Sequence, residues 1–166
     1  MSRAGYCDDM EDPLDLGRWR GQVASATRGK RGQRLLRDLL AALDAMPEKR
    51  LVTDVLEVST IADAKHAEQW AKITNNPPAQ YFTVVKRPAE YRDGDVCALG
   101  ALGKVRGLDM SNLDPEEPDN VAAAFDIASP LAREIVYVND EWYASETPEQ
   151  RWHRMRNWVA SQIKAT

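Results

Sequence analysis

A chain of 166 residues is long enough for one domain and buries about 70% of its unfolded surface on folding, so no disulfide or metal staple is required. Its 43% hydrophobic and 29% charged content, with a mean hydropathy of −0.53, argues against wholesale disorder and against membrane insertion. The formal charge of −4 is modest and by itself points to neither nucleic acid nor a membrane surface. The longest apolar stretch, 96–102, falls far short of the ~20 residues of a spanning helix. Met1-Ser-Arg-Ala runs into acids rather than a signal-peptide core, and a cytoplasmic location is the expectation.

Residues 1–16 hold Asp8, Asp9, Glu11, Asp12 and Asp15 against Arg3 alone, and read as an acidic arm with no core face. From 17 to 37 the sign reverses, with Arg18, Arg20, Arg28, Lys30, Arg31, Arg34 and Arg37 and no acid among them. Trp19, Val23 and Ala26 form a short amphipathic run before Gly29. Leu35, Leu36, Leu39, Leu40, Leu43 and Met46 then recur at helical spacing up to Pro47, which predicts a helix over 30–46. Two helices therefore meet at the Arg28-Gly-Lys-Arg-Gly32 joint, where glycines are expected to supply the turn.

The stretch 51–58 fits neither the helical nor the strand period cleanly and is read as helix. Ile61, Ala64, Ala67, Trp70, Ala71 and Ile73 predict a helix from Thr60, stopped by Asn75-Asn-Pro-Pro78. Tyr-Phe-Thr-Val-Val at 81–85 is β-branched and aromatic between turn formers, which places a minor β element near 81–86. In the small-residue run 95–107, Gly100 and Gly103 interrupt an otherwise good helix at about 1 kcal/mol each relative to alanine. Close approach of another helix or backbone offsets that cost; the alternative is a glycine-lined anion site at the helix start. The spacing matches neither the Rossmann nor the Walker motif, and Lys104 is not followed by Ser or Thr.

An acidic loop over 109–120 fails the EF-hand order because Leu113 occupies a ligand position. A short helix over 121–125 follows, and Ser129-Pro130 opens another through Val138. Thr147-Pro-Glu-Gln150 has the spacing of a capping box and opens the last helix, to Lys164. Its core stripe is Trp152, Met155, Val159 and Ile163, with Arg151, Arg154 and Lys164 off that face. The whole reads as a mainly α, compact single-domain bundle of five to seven helices, with the acidic arm over 1–16 and the domain over 17–166.

Catalytic raw material is thin. Cys7 and Cys97 form no disulfide framework, His66 and His153 no triad or zinc spacing, and no catalytic residue, metal site or cofactor is assigned. The basic segment is the strongest functional signal. Lys30, Arg31 and Arg34 fall where the helix macrodipole is already positive, unfavourable by a few tenths of a kcal/mol each. An external anion offsets that repulsion in a complex; otherwise the acidic arm does so internally, or the charges are simply solvated. The partner-binding residues expected are Arg28, Lys30, Arg31 and Arg34, with Arg18 and Arg20 beside them.

Trp19-Arg-Gly with Arg28-Gly-Lys-Arg-Gly-Gln33, Val96-Cys-Ala-Leu-Gly-Ala-Leu-Gly103, and Val138-Asn-Asp-Glu141 before a Trp-bearing last helix together resemble a family of small, uncharacterised phage and prophage proteins. The likeness covers roughly 17–50 and 95–163. Some members run from the counterpart of Leu51 almost directly into the Val-Cys-Ala-Leu-Gly motif, which implies that 59–92 is an insertion. The resemblance implies a non-enzymatic accessory protein that binds a host macromolecule in the host cytoplasm, with host takeover or anti-defence as the associated roles. The expected partner is a host protein or protein–nucleic-acid complex with an acidic surface, and no membrane. Two alternatives stay open: direct nucleic-acid binding through the same basic residues, and an enzyme or small-ligand site near Cys97 and Asp140.

Overall fold

A computed structural model describes residues 13–84, 88, 90–140 and 146–165. The architecture is mainly helical, with eight helices among the described residues, one more than the upper bound read from the sequence. The chain divides into two compact units, one drawn from Met1–Leu56 and Val96–Thr166, the other Glu57–Asp95.

The larger unit is built around α2 (Lys30–Ala45), which has α5 (Ala98–Arg106) and α8 (Pro148–Gln162) packed on it. Leu35, Leu36, Leu39 and Leu43 of α2 are at most 1% exposed, and each contributes about 1.5–3 kcal/mol of burial. Helix α7 (Ser129–Asp140) packs against α6 (Pro118–Phe125), α5 and α1 (Pro13–Arg28). The last four residues of the expected arm, 13–16, thus belong to α1, and the rest of it lies outside the described residues.

The α1–α2 joint falls where the glycines are, but the glycines do different work from a turn. Gly29 has φ −67 and ψ 156, which any residue adopts. Gly32 lies inside α2, where a Cβ would come 2.1 Å from the Ala26 carbonyl oxygen, so its role is close approach of the two helices.

Helix α5 resolves the small-residue run as a packing seam. A Cβ on Gly100 would stand 1.8 Å from the Leu56 carbonyl oxygen, and one on Gly103 would stand 2.2 Å from the Met110 sulfur. Cys97 is the N-cap, its Sγ accepting the Gly100 N–H at 3.4 Å, and Gly107 ends the helix at φ 65. Thr147 and Gln150 form the expected capping box at the start of α8. Arg151 departs from expectation. It is 6% exposed rather than off the core face, with Nη1 donating to the Leu51 carbonyl at 3.0 Å. The segment it holds explains why 51–58 is not the helix read from the sequence. Leu51 N–H donates to Pro148 O, Val52 N–H to Val96 O, and Leu56 O accepts the Cys97 N–H, so distant chain satisfies this backbone. Asp54 within it stands at φ 63.

In the smaller unit α3 (Thr60–Thr74) ends before Asn75, at φ 56. The β element expected near 81–86 is instead α4 (Pro78–Val84); positions 85 and 86 lie outside the described residues. A lone strand leaves its backbone groups unpaired, whereas a helix satisfies them internally, and proline at the first helical position gives up no hydrogen bond. Tyr81 then sets its ring edge on Trp70, with centroids 6.3 Å apart. The unit closes on itself where Val58 N–H donates to Asp95 O and Gly94 N–H to Val58 O.

Candidate functional site

Arg20, Val23, Ala24, Thr27 and Arg28 recur at i, i+3, i+4, i+7 and i+8, which places them on one stripe of α1. That stripe lines a groove of about 480 Å3, closed opposite by Glu134 of α7 and by residues 161–164 at the end of α8. One buried side chain brings those pieces together. Gln33, 5% exposed, donates from Nε2 to Thr27 O (2.8 Å) and Gln162 O (3.0 Å), while its Oε1 accepts the Lys164 N–H at 2.8 Å. The end of α8 is thereby tied across the end of α1.

Three cations stand around this groove: Arg20, Arg28 and Lys164. Lys164 Nζ donates to the Arg28 carbonyl at 3.2 Å. The Arg20, Arg28 and Lys30 side chains are exposed and form no ion pair among the described residues. The other expected partner-binding residues have internal counterions. Arg31 and Arg34 both reach Asp126, at 3.3 and 3.0 Å, and Arg18 pairs with Asp15 at 2.9 Å. Asp126 caps the end of α6 at φ 54. The wrong-sign charge at the start of α2 is therefore offset from 92 positions away by an exposed clip, worth about 0–1 kcal/mol per pair.

The structure splits the six expected residues into groups. Arg20 and Arg28 share the groove, Lys30 stands exposed at the start of α2, Arg31 and Arg34 share Asp126, and Arg18 stays with Asp15. Sequence reasoning missed Lys164, Thr27 and Glu134. The spacing of α1 signalled Thr27, but nothing local signals that α7 and the end of α8 meet α1.

Cys97 and Asp140 do come together. Asn139, 1% exposed, accepts the Ala98 N–H at 3.1 Å and donates to Val52 O at 2.8 Å and to Asp140 Oδ1 at 2.5 Å. Burial pushes the Cys97 thiol up to about 12, with the Asp140 charge adding to it. A buried, protonated thiol spent as a helix cap is poorly suited to nucleophilic attack. Among the described residues no group of three or more His, Cys, Asp or Glu is placed to hold a metal ion, and no helix is long and apolar enough to cross a membrane.

Burial also raises the Asp140 carboxyl from 3.8 to about 7, with the Asp54 charge contributing. A raised carboxyl favours the protonated folded form, so its contribution to stability is present below about pH 4 and is lost as pH rises through 7. Asp140→Asn is therefore expected to flatten that fall and to be about 1–3 kcal/mol more stable than the parent at pH 8. Urea unfolding from pH 4 to 8 checks it; parallel curves for the two proteins contradict the assignment.

Comparison with known proteins returns no match to any protein-family model, curated protein or solved structure.

Proposed function

We propose that this chain is a non-enzymatic accessory protein of the phage or prophage type that binds a host macromolecule with an acidic surface, acting in the host cytoplasm. The observation that supports the reading is the division of the basic segment. Arg20 and Arg28 flank a groove and form no ion pair among the described residues, while Arg18, Arg31 and Arg34 pair with carboxylates within the chain. Lys30, exposed at the start of α2, likewise forms no ion pair among the described residues. Exposed cations steer association with a negative surface at little cost to the fold.

The resemblance of the basic joint, the Val-Cys-Ala-Leu-Gly run and the Trp-bearing last helix to phage accessory proteins supports the biological setting. Affinity capture from host-cell lysate, with and without nuclease, tests the reading. Wild-type protein is expected to retain a defined host protein, and Arg20→Glu/Arg28→Glu to retain it at least tenfold less. Equal capture by both proteins refutes the basic-surface reading, and capture abolished by nuclease moves it to nucleic acid.

A further inference from the structure

We propose that the groove between α1 and the end of α8 receives an acidic amphipathic segment of a partner protein, an inference that rests on the basic-surface reading above. The walls are chemically mixed in a particular way. Val23, Ala24 and Ile163 offer a half-buried apolar surface, and Arg20, Arg28 and Lys164 stand around it. The two arginines are eight positions apart on one helix stripe, which sets them about 12 Å apart along the axis. The complementary ligand carries two carboxylates at that separation with an apolar side chain between them. The carboxylates pair with Arg20 and Arg28, bidentately where geometry allows, and the apolar side chain displaces water from Val23 and Ile163. A volume of about 480 Å3 accommodates one large side chain and its flanking backbone.

The same observations disfavour a nucleic-acid strand. Phosphates recur along a backbone and call for an extended run of cations. Here part of the basic run is engaged internally, Arg31 and Arg34 with Asp126, and the exposed Lys30 and Arg37 are not among the residues that line the groove. Glu134, 6% exposed, contributes a carboxylate to the groove wall, which opposes a phosphate seated there. An acidic peptide places its charges on the surrounding cations and only its apolar group against the walls.

Fluorescence anisotropy of the full chain with a labelled acidic peptide, a leucine midway between two aspartates set about 12 Å apart, tests the proposal. Wild-type protein is expected to bind it. Arg20→Glu/Arg28→Glu should weaken binding at least tenfold, and Arg31→Ala/Arg34→Ala should change it less than twofold. Replacing the aspartates of the peptide by asparagine, or its leucine by serine, should weaken binding several-fold on the unaltered protein, which removes any question of misfolding. Equal binding of the leucine and serine peptides overturns the proposal. So does a loss in Arg31→Ala/Arg34→Ala as large as in Arg20→Glu/Arg28→Glu, or tighter binding of a single-stranded oligonucleotide than of the peptide. If the peptide fails while Arg20→Glu/Arg28→Glu still releases the host protein in the capture experiment, the groove occupant is wrong and the basic-surface reading stands.

Discussion

Gly100→Ala is expected to lower the unfolding free energy by about 3 kcal/mol or more, although alanine is the better helix former by about 1 kcal/mol. The added Cβ would stand 1.8 Å from the Leu56 carbonyl oxygen and 2.8 Å from its carbon. Both are backbone atoms and cannot swing aside. That carbonyl also accepts the Cys97 N–H at 3.2 Å, so displacing it disturbs the start of α5 together with the chain at Leu56. Gly103→Ala is the informative comparison. Its nearest obstacle, 2.2 Å away, is the sulfur of Met110, the far part of a flexible side chain that is itself 8% exposed. We expect a cost near 1 kcal/mol there, partly offset by helix propensity. Urea midpoints of the two variants measure this order; Gly100→Ala unfolding at the parent midpoint would remove the packing account of the seam.

Glu146→Gln is expected to cost about 3 kcal/mol, because it removes the carboxylate shared by one buried and one half-buried guanidinium group. The Glu146 side chain is 7% exposed. Its Oε1 accepts from Arg154 Nε at 2.7 Å and its Oε2 from Arg154 Nη2 at 2.5 Å, with Arg151 Nε 3.6 Å from Oε2. Arg154 also donates to the Val138 and Asn139 carbonyls at the end of α7, and Arg151 to Leu51. Losing the carboxylate leaves two cations, 7% and 17% exposed, without their common counterion. Adding Arg154→Met to Glu146→Gln should recover part of the loss, since a burial charge removed with its partner no longer needs compensation. The measurement is again urea unfolding; a change under about 1 kcal/mol for Glu146→Gln would show that the cluster is solvated in solution.

These two sites differ in how visible they were beforehand. Gly100 and Gly103 announced themselves, because two glycines in a helix-forming run require an offsetting contact, and that contact is now a carbonyl and a methionine sulfur. Nothing announced the Glu146 cluster. Arg151 sits beside Trp152 on an amphipathic helix and reads as solvated, yet its guanidinium ties the irregular chain at Leu51, 100 positions away. The basic joint was half legible. Its charge and its place between two helices followed from residue order. Its division did not, since Asp126 lies in an unremarkable Phe-Asp-Ile stretch and becomes the counterion of Arg31 and Arg34 only through the packing of the folded unit.

Helix α2, the capping box at Thr147 and the stop at Asn75 needed only contacts within a few residues, so periodicity and cap chemistry determined them from the sequence alone. Tertiary structure decided the remainder. The 78–84 segment became helix because an unpaired strand leaves backbone groups unsatisfied, and 51–56 stayed irregular because Pro148, Val96 and Cys97 supply its hydrogen bonds. It also decided the site. The α1 stripe is written in the sequence, but the groove forms where Glu134 of α7 and the end of α8, tied to Thr27 through Gln33, come to face it. Local spacing fixes which side chains share a helix face; only long-range packing fixes what faces them.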